Sequence, residues 1–300
     1  MEPRRTVFSG AASHYCGEKM NVKTVNILST LLLFLCGCAS FNMEQHPHQE
    51  VLKIKGSDSM LLLTQRCAAE YMKSHPGISM YVEGGGSKTG IDALINGTID
   101  ICAASRPLLP SEVQQLAERY HSLGIATLCA KDALGIVVHP SNPVDNLSIG
   151  EVKNIFTGKI TRWSDVGGTL SPITSYSREP NSGTYLFLQE HILLDEPYSA
   201  GCEYVGGARA LIDAVAADSS AIGYSTFVYA QKVKLLSIGH VAPTIENVRN
   251  GTYPISRYLY FYTVDPPAGL IKSFIEWTIG PEGQRVIQAN GYIPLYESSQ

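Results

Sequence analysis

The sequence predicts an α/β fold, and three observations predict it. Short β-rich runs alternate with helical periodicity from Val51 onward, glycine- and serine-rich junctions stand where strands hand over to helices, and the composition is globular. With 44% hydrophobic and 17% charged residues, 27 glycines and 300 residues in all, the chain can bury one large core or two ordinary ones. Candidate strands cover residues 51–55, 79–83, 99–103, 134–138, 173–176, 221–224 and 258–263. Between the first two, Met60, Leu63, Cys67 and Tyr71 recur at spacings of three and four, laying one apolar stripe along a helix that His75-Pro76-Gly77 ends. That is a βαβ unit, and the pattern predicts parallel sheet with crossover helices. No repeat of solenoid length and no low-complexity tract interrupts it.

The start of the chain carries a different message. Lys23 precedes an apolar run over residues 25–37, the length of a signal-peptide core and too short to span a bilayer. It ends in Leu35-Cys36-Gly37-Cys38, which resembles the lipobox of bacterial lipoproteins, so Cys38 is the expected lipidation site. Residues 1–38 then form a leader, with Met20 the expected start because the signal is well formed from there, and 39–50 form a polar tether. The remaining cysteines, Cys67, Cys102, Cys129 and Cys202, make no CxxC pair. They read as buried thiols, with up to two disulfides as the alternative. A net charge of −4 without any basic run argues against nucleic-acid partners.

Three junctions share one chemistry. Gly56-Ser57-Asp58-Ser59 opens the first helix, Gly84 through Gly90 with Ser87 and Lys88 opens the second, and Arg178 with Asn181-Ser182-Gly183-Thr184 opens a later one carrying Tyr185, Leu188 and Ile192. At such a start, free N–H groups and the positive end of the helix dipole face outward, glycine admits an oxyanion to the main chain, and a hydroxyl adds a donor. One junction alone reads as an ordinary N-cap. Three with an arginine point to an anion site. A nucleotide-binding P-loop is excluded, because its glycines would have to stand where Ser87 and Val82 do. No G-x-S-x-G elbow and no H-E-x-x-H helix occurs either, so the common hydrolase and metalloprotease motifs are missing.

These junctions, together with Asp100-Ile101, Ser105-Arg106-Pro107-Leu108, Ala221-Ile222-Gly223-Tyr224, Tyr253-Pro254-Ile255-Ser256-Arg257 and Gly291-Tyr292-Ile293-Pro294, resemble the phosphate-binding proteins of bacterial phosphate ABC transporters. The resemblance runs from Val51 to Leu295. It implies a periplasmic-binding-protein fold: two α/β lobes joined by hinge strands, with the ligand cleft between them. Lobe one is expected at 50–132 plus 257–300 and lobe two at 133–256, with hinge crossings near 131–134 and 254–258.

It also implies a site of Ser57, Asp58, Ser59, Ser87, Lys88, Ser105, Arg106, Arg178, Ser182, Gly183 and Thr184, no cofactor, no catalytic activity and a monomer. Implied partners are inorganic phosphate and an ABC permease with its ATPase, for a protein held at the membrane by its lipid in the periplasm or at the cell surface. Within the site, Asp58 is the candidate for selectivity. A carboxylate repels an oxyanion unless it accepts the anion's own proton, which hydrogen phosphate has and sulfate lacks. Some members carry aspartate where this chain has Arg106, so that role would move to Asp58. Sulfate or another tetrahedral oxyanion, or a phosphatase-type activity, are the competing expectations.

Overall fold

The computed structural model describes residues 50–296, so the leader, the lipobox Cys38 and all of the tether but Glu50, which belongs to the first strand, lie outside the described residues. Strand and helix alternate from the outset: β1 (Glu50–Gly56), α1 (Asp58–Ser74), β2 (Ile78–Glu83), α2 (Ser87–Ile95), β3 (Ile101–Ala104) and α3 (Pro110–Tyr120). Next come β4 (Ile125–Val138), β5 (Asn146–Leu147), α4 (Ile149–Phe156), β6 (Thr174–Arg178), α5 (Gly183–His191), β7 (Glu203–Val205), α6 (Ala208–Ala217) and β8 (Ala221–Thr226). The chain closes with β9 (Lys234–Leu235), β10 (Ser237–Ile238), α7 (Ile245–Arg249), β11 (Ser256–Thr263), α8 (Gly269–Ile279) and α9 (Pro281–Ala289).

Local chemistry accounts for the principal helices. Met60, Leu63, Cys67 and Tyr71 line the buried face of α1, and the helix stops at His75 ahead of Pro76-Gly77. In α4 a capping box holds the start, with Ser148 accepting from the Glu151 N–H while Glu151 accepts from the Ser148 N–H.

The main sheet runs in the order β2-β1-β3-β11-β4-β8-β6-β7. Its flanks are parallel, as the βαβ pattern predicts, but its centre is antiparallel through β11 and β4. The 14-residue β4 corrects the expected strand at 134–138, for it starts nine residues earlier, at Ile125. Lys131-Asp132 breaks the apolar pattern there, and only the tertiary fold supplies a partner: Arg257 of β11 binds Asp132 on the neighbouring strand. The early half of β4 pairs with β11 (Thr263↔Ile125 to Ser256↔Ala133) and its late half with β8 (Thr226↔Leu134 to Ile222↔Val138).

Two large cores follow from this division. One gathers Leu52, Ile54, Met60, Tyr71, Ala130, Leu259, Phe274 and Tyr292, while the other gathers Leu134, Ile136, Phe156, Trp163, Leu188, Tyr224, Tyr253 and Ile255. Ile293 packs into the second, although Tyr292 belongs to the first, and it pairs with Lys131 through reciprocal main-chain bonds of 2.8 and 3.0 Å. Among the described residues no helix is long and apolar enough to cross a membrane.

Cys67, Cys102, Cys129 and Cys202 are free and buried, which settles the choice the sequence left open. Burial pushes the Cys67 thiol up to about 12 and raises Cys102 and Cys129 as well. A thiol reagent at pH 8 should leave Cys67, Cys102 and Cys129 unlabelled in the folded protein and label them after denaturation. Rapid native labelling of any of the three, read by mass spectrometry, would contradict this packing.

Candidate functional site

The ends of β1, β2 and β6 deliver the starts of α1, α2 and α5 to one place, and hydrogen bonds tie them together there. Asp58, first residue of α1, accepts the Gly85 N–H at Oδ1 (2.8 Å) and the Arg178 guanidinium at Oδ2 (2.6 Å). The Ser59 and Thr184 hydroxyls meet at 2.9 Å. Ser57 Oγ donates to Ser105 Oγ (2.9 Å), which also lies 3.3 Å from Ser87 Oγ, and Ser87 Oγ accepts the Ser105 N–H (3.1 Å). Ser57, Ser59, Ser87, Ser105, Arg178, Ser182 and Thr184 are all buried, and Gly183 with them. Hydroxyls this deep persist only where partners surround them.

Neither Ser57 nor Gly86 makes a side-chain cap, whereas Ser182 caps α5 by accepting the Thr184 N–H at 3.2 Å. Glycine is required at two points. Gly86 has φ 98° and a Cβ there would stand 2.7 Å from the Asn181 carbonyl oxygen; at Gly183 a Cβ would lie 2.7 Å from Ser105 Oγ and closer still to Ser87 Oγ.

Two of the expected site residues are engaged elsewhere. The Lys88 ammonium pairs with Asp92 one turn along α2, at 2.7 Å and half exposed, so only the Lys88 main chain reaches the junctions, its N–H donating to the Asn181 carbonyl at 3.0 Å. Arg106 is buried in a two-pronged pair with Glu112 (2.7 and 2.8 Å), and Glu112 also accepts the Leu109 N–H. It braces the loop behind Ser105.

Supporting residues had no role readable in the sequence. Asn181 stitches α5 to α2, its side-chain amide donating to the Gly85 carbonyl at 3.1 Å. Tyr224 is buried on β8 beside the end of β6, where its hydroxyl accepts the Arg178 N–H (3.1 Å) and bonds Ser177 Oγ (2.6 Å). Burial pushes that phenol up to about 12, so it stays neutral and holds the backbone that aims Arg178. Tyr292 donates to the Ser59 carbonyl at 2.6 Å. Each acts through a main-chain atom, which leaves no composition signal.

Two α/β lobes joined by shared strands, with polar helix starts from both lobes meeting between them, define a solute-binding protein of the cleft-closing type. Comparison with known proteins agrees. Residues 43–282 match the model of the PBP superfamily domain. The phosphate-binding protein PstS of Pseudomonas aeruginosa is 30% identical over 263 residues, covering 80% of this chain and 81% of that one. The PstS of Bacillus subtilis is likewise 30% identical, covering 81% and 80%. Among solved structures, a putative phosphate ABC transporter substrate-binding protein with bound phosphate, from Clostridium perfringens, superposes with a TM-score of 0.77 at 29% identity, covering 82% of this chain and all of its own. The chain belongs to the PBP superfamily and, within it, to the family of the phosphate-binding proteins of phosphate ABC transporters.

The close approach of Gly183 to Ser87 and Ser105 makes it a wedge point. Gly183→Ala should leave the melting temperature within a few degrees but hold the lobes apart, raising the radius of gyration measured by X-ray scattering. Scattering identical to the wild type would show that the two serines yield instead.

Proposed function

We propose that the protein captures inorganic phosphate outside the cytoplasmic membrane and delivers it to an ABC uptake transporter. The observation that carries this reading is the meeting of three helix starts, from both lobes, around the Asp58–Arg178 pair. A buried dianion must exchange its hydration shell for a full set of donors. Ser57, Ser59, Ser87, Ser105, Ser182 and Thr184 offer hydroxyls, Gly183 and its neighbours offer N–H groups, and Arg178 supplies a planar charged fork. Arg106 supports the site through Glu112, and Lys88 contributes its main chain.

Asp58 gives the reading its specificity. Each of its oxygens takes one donor, and a carboxylate has about four lone-pair positions, so room is left to accept the proton of hydrogen phosphate. Sulfate would bring bare oxygens against that carboxylate instead. The relatives are named as binding proteins, and a transport role follows from their names: an anion held by residues 50–132 plus 257–300 on one side and 133–256 on the other would favour the closed state, the form a permease and its ATPase could recognise. A lipid on Cys38 and the tether over 39–50 would keep this monomer at the membrane.

Isothermal titration of anion-free protein with phosphate, then sulfate, tests the ligand. Phosphate should bind one to one with sulfate silent, and Asp58→Asn should cut the preference for phosphate by about tenfold or more. Sulfate binding as tight as phosphate would refute the assignment. The anchor is tested separately: Cys38→Ala should move the protein from the membrane fraction to the soluble one, and unchanged partitioning would dismiss the lipid.

A further inference from the structure

Arg257 belongs to none of the three helix starts, yet it lies close to residues that adjoin two of them. It sits on β11 opposite Asp132 of β4, where both strands pass from one core to the other. Its Nε and Nη2 both donate to Asp132 Oδ2, at 3.1 and 3.0 Å. The whole residue is only 5% exposed, and Nη1 is buried without a hydrogen-bond partner.

Its surroundings locate it relative to the site. The guanidinium lies 5.5 Å from the ring centre of Phe187, which follows Thr184 by one turn of α5. Tyr292, close enough to act electrostatically on Arg257, donates to the Ser59 carbonyl. Burial, and then the repulsion of nearby Arg178, draw the Arg257 proton affinity down while Asp132 opposes them. Arg257 thus lies near Tyr292, which bonds Ser59, and near Phe187, one turn from Thr184, and the Ser59 and Thr184 hydroxyls meet across the cleft.

We infer that Arg257 is a further anion-binding residue, its Nη1 donating to an oxygen of the anion held between Ser59 and Thr184. The inference rests on the phosphate-binding reading. A buried donor without an acceptor disfavours the structure that contains it, and an oxyanion at this place would supply the acceptor. Because the guanidinium is a rigid planar fork, Asp132 fixes the orientation of Nη1 by occupying the other edge. Arg257 would thus tie the ligand to the strands about which the lobes move, while Arg178 ties it to one lobe.

Proton–nitrogen NMR of the arginine side chains tests this on the wild-type protein, the Arg257 signals being assigned by their loss in Arg257→Lys. On adding inorganic phosphate the Arg257 Nη signals should shift, and Arg257→Lys should bind phosphate at least about tenfold more weakly. If the wild type binds phosphate while the Arg257 signals stay in place, Arg257 is only a structural partner of Asp132 and the inference fails; should the variant not fold, the signals are assigned by through-bond correlation to the Arg257 backbone and the wild-type spectra decide. If the wild type binds no phosphate, the functional reading falls and takes the inference with it.

Discussion

The pair between Asp58 and Arg178, 120 residues apart in the chain and 2.6 Å apart in space, is the contact the site depends on. One partner comes from the first helix of one lobe and the other from a strand end of the second. A largely buried ion pair needs partners for its remaining hydrogen-bonding positions; some are supplied locally here, while Arg178 Nε is buried without one. The Gly85 N–H takes the second carboxylate oxygen, and Tyr224 holds the Arg178 backbone from behind. Gly84 is needed because the approach is so close: a Cβ there would stand 2.5 Å from Asp58 Oδ1.

A second regularity concerns charge. Arg106 is matched by Glu112, Arg178 by Asp58 and Arg257 by Asp132, so the arginines around the cleft bring no net positive charge with them. Attraction for an anion must then come from aligned N–H groups, hydroxyls and guanidinium edges that the carboxylates leave over. Such donors act at contact range and in fixed directions. They favour an anion of the right shape and protonation state over anions in general.

Much of this was legible in the sequence because it is written in local pattern. The stripe Met60, Leu63, Cys67 and Tyr71 gave the first helix and its end, and the glycine- and serine-rich junctions marked three helix starts that the fold does bring together. What stayed hidden depends on partners distant in sequence. The first half of β4 looked unlike a strand because Lys131 and Asp132 interrupt it, and the interruption is resolved only by Arg257, 125 residues on. Lys88 looked like a site cation, but Asp92 at the next turn captures it, a local pair visible in the sequence that the anion-site pattern overshadowed. Asn181, Tyr224 and Tyr292 work through main-chain atoms, a role no side-chain motif announces.

The course of β4 and the position of Ile293 bear on how the molecule can be assembled. The first core contains Leu52 and Ile54 from one end of the described chain and Phe274 and Tyr292 from the other, and the second is closed in part by Ile293. Neither core is complete until nearly the whole polypeptide is present. Such high contact order slows folding and ties both halves into one late cooperative step, so a chain still emerging, or one cut short before Tyr292, has no finished lobe to fall back on.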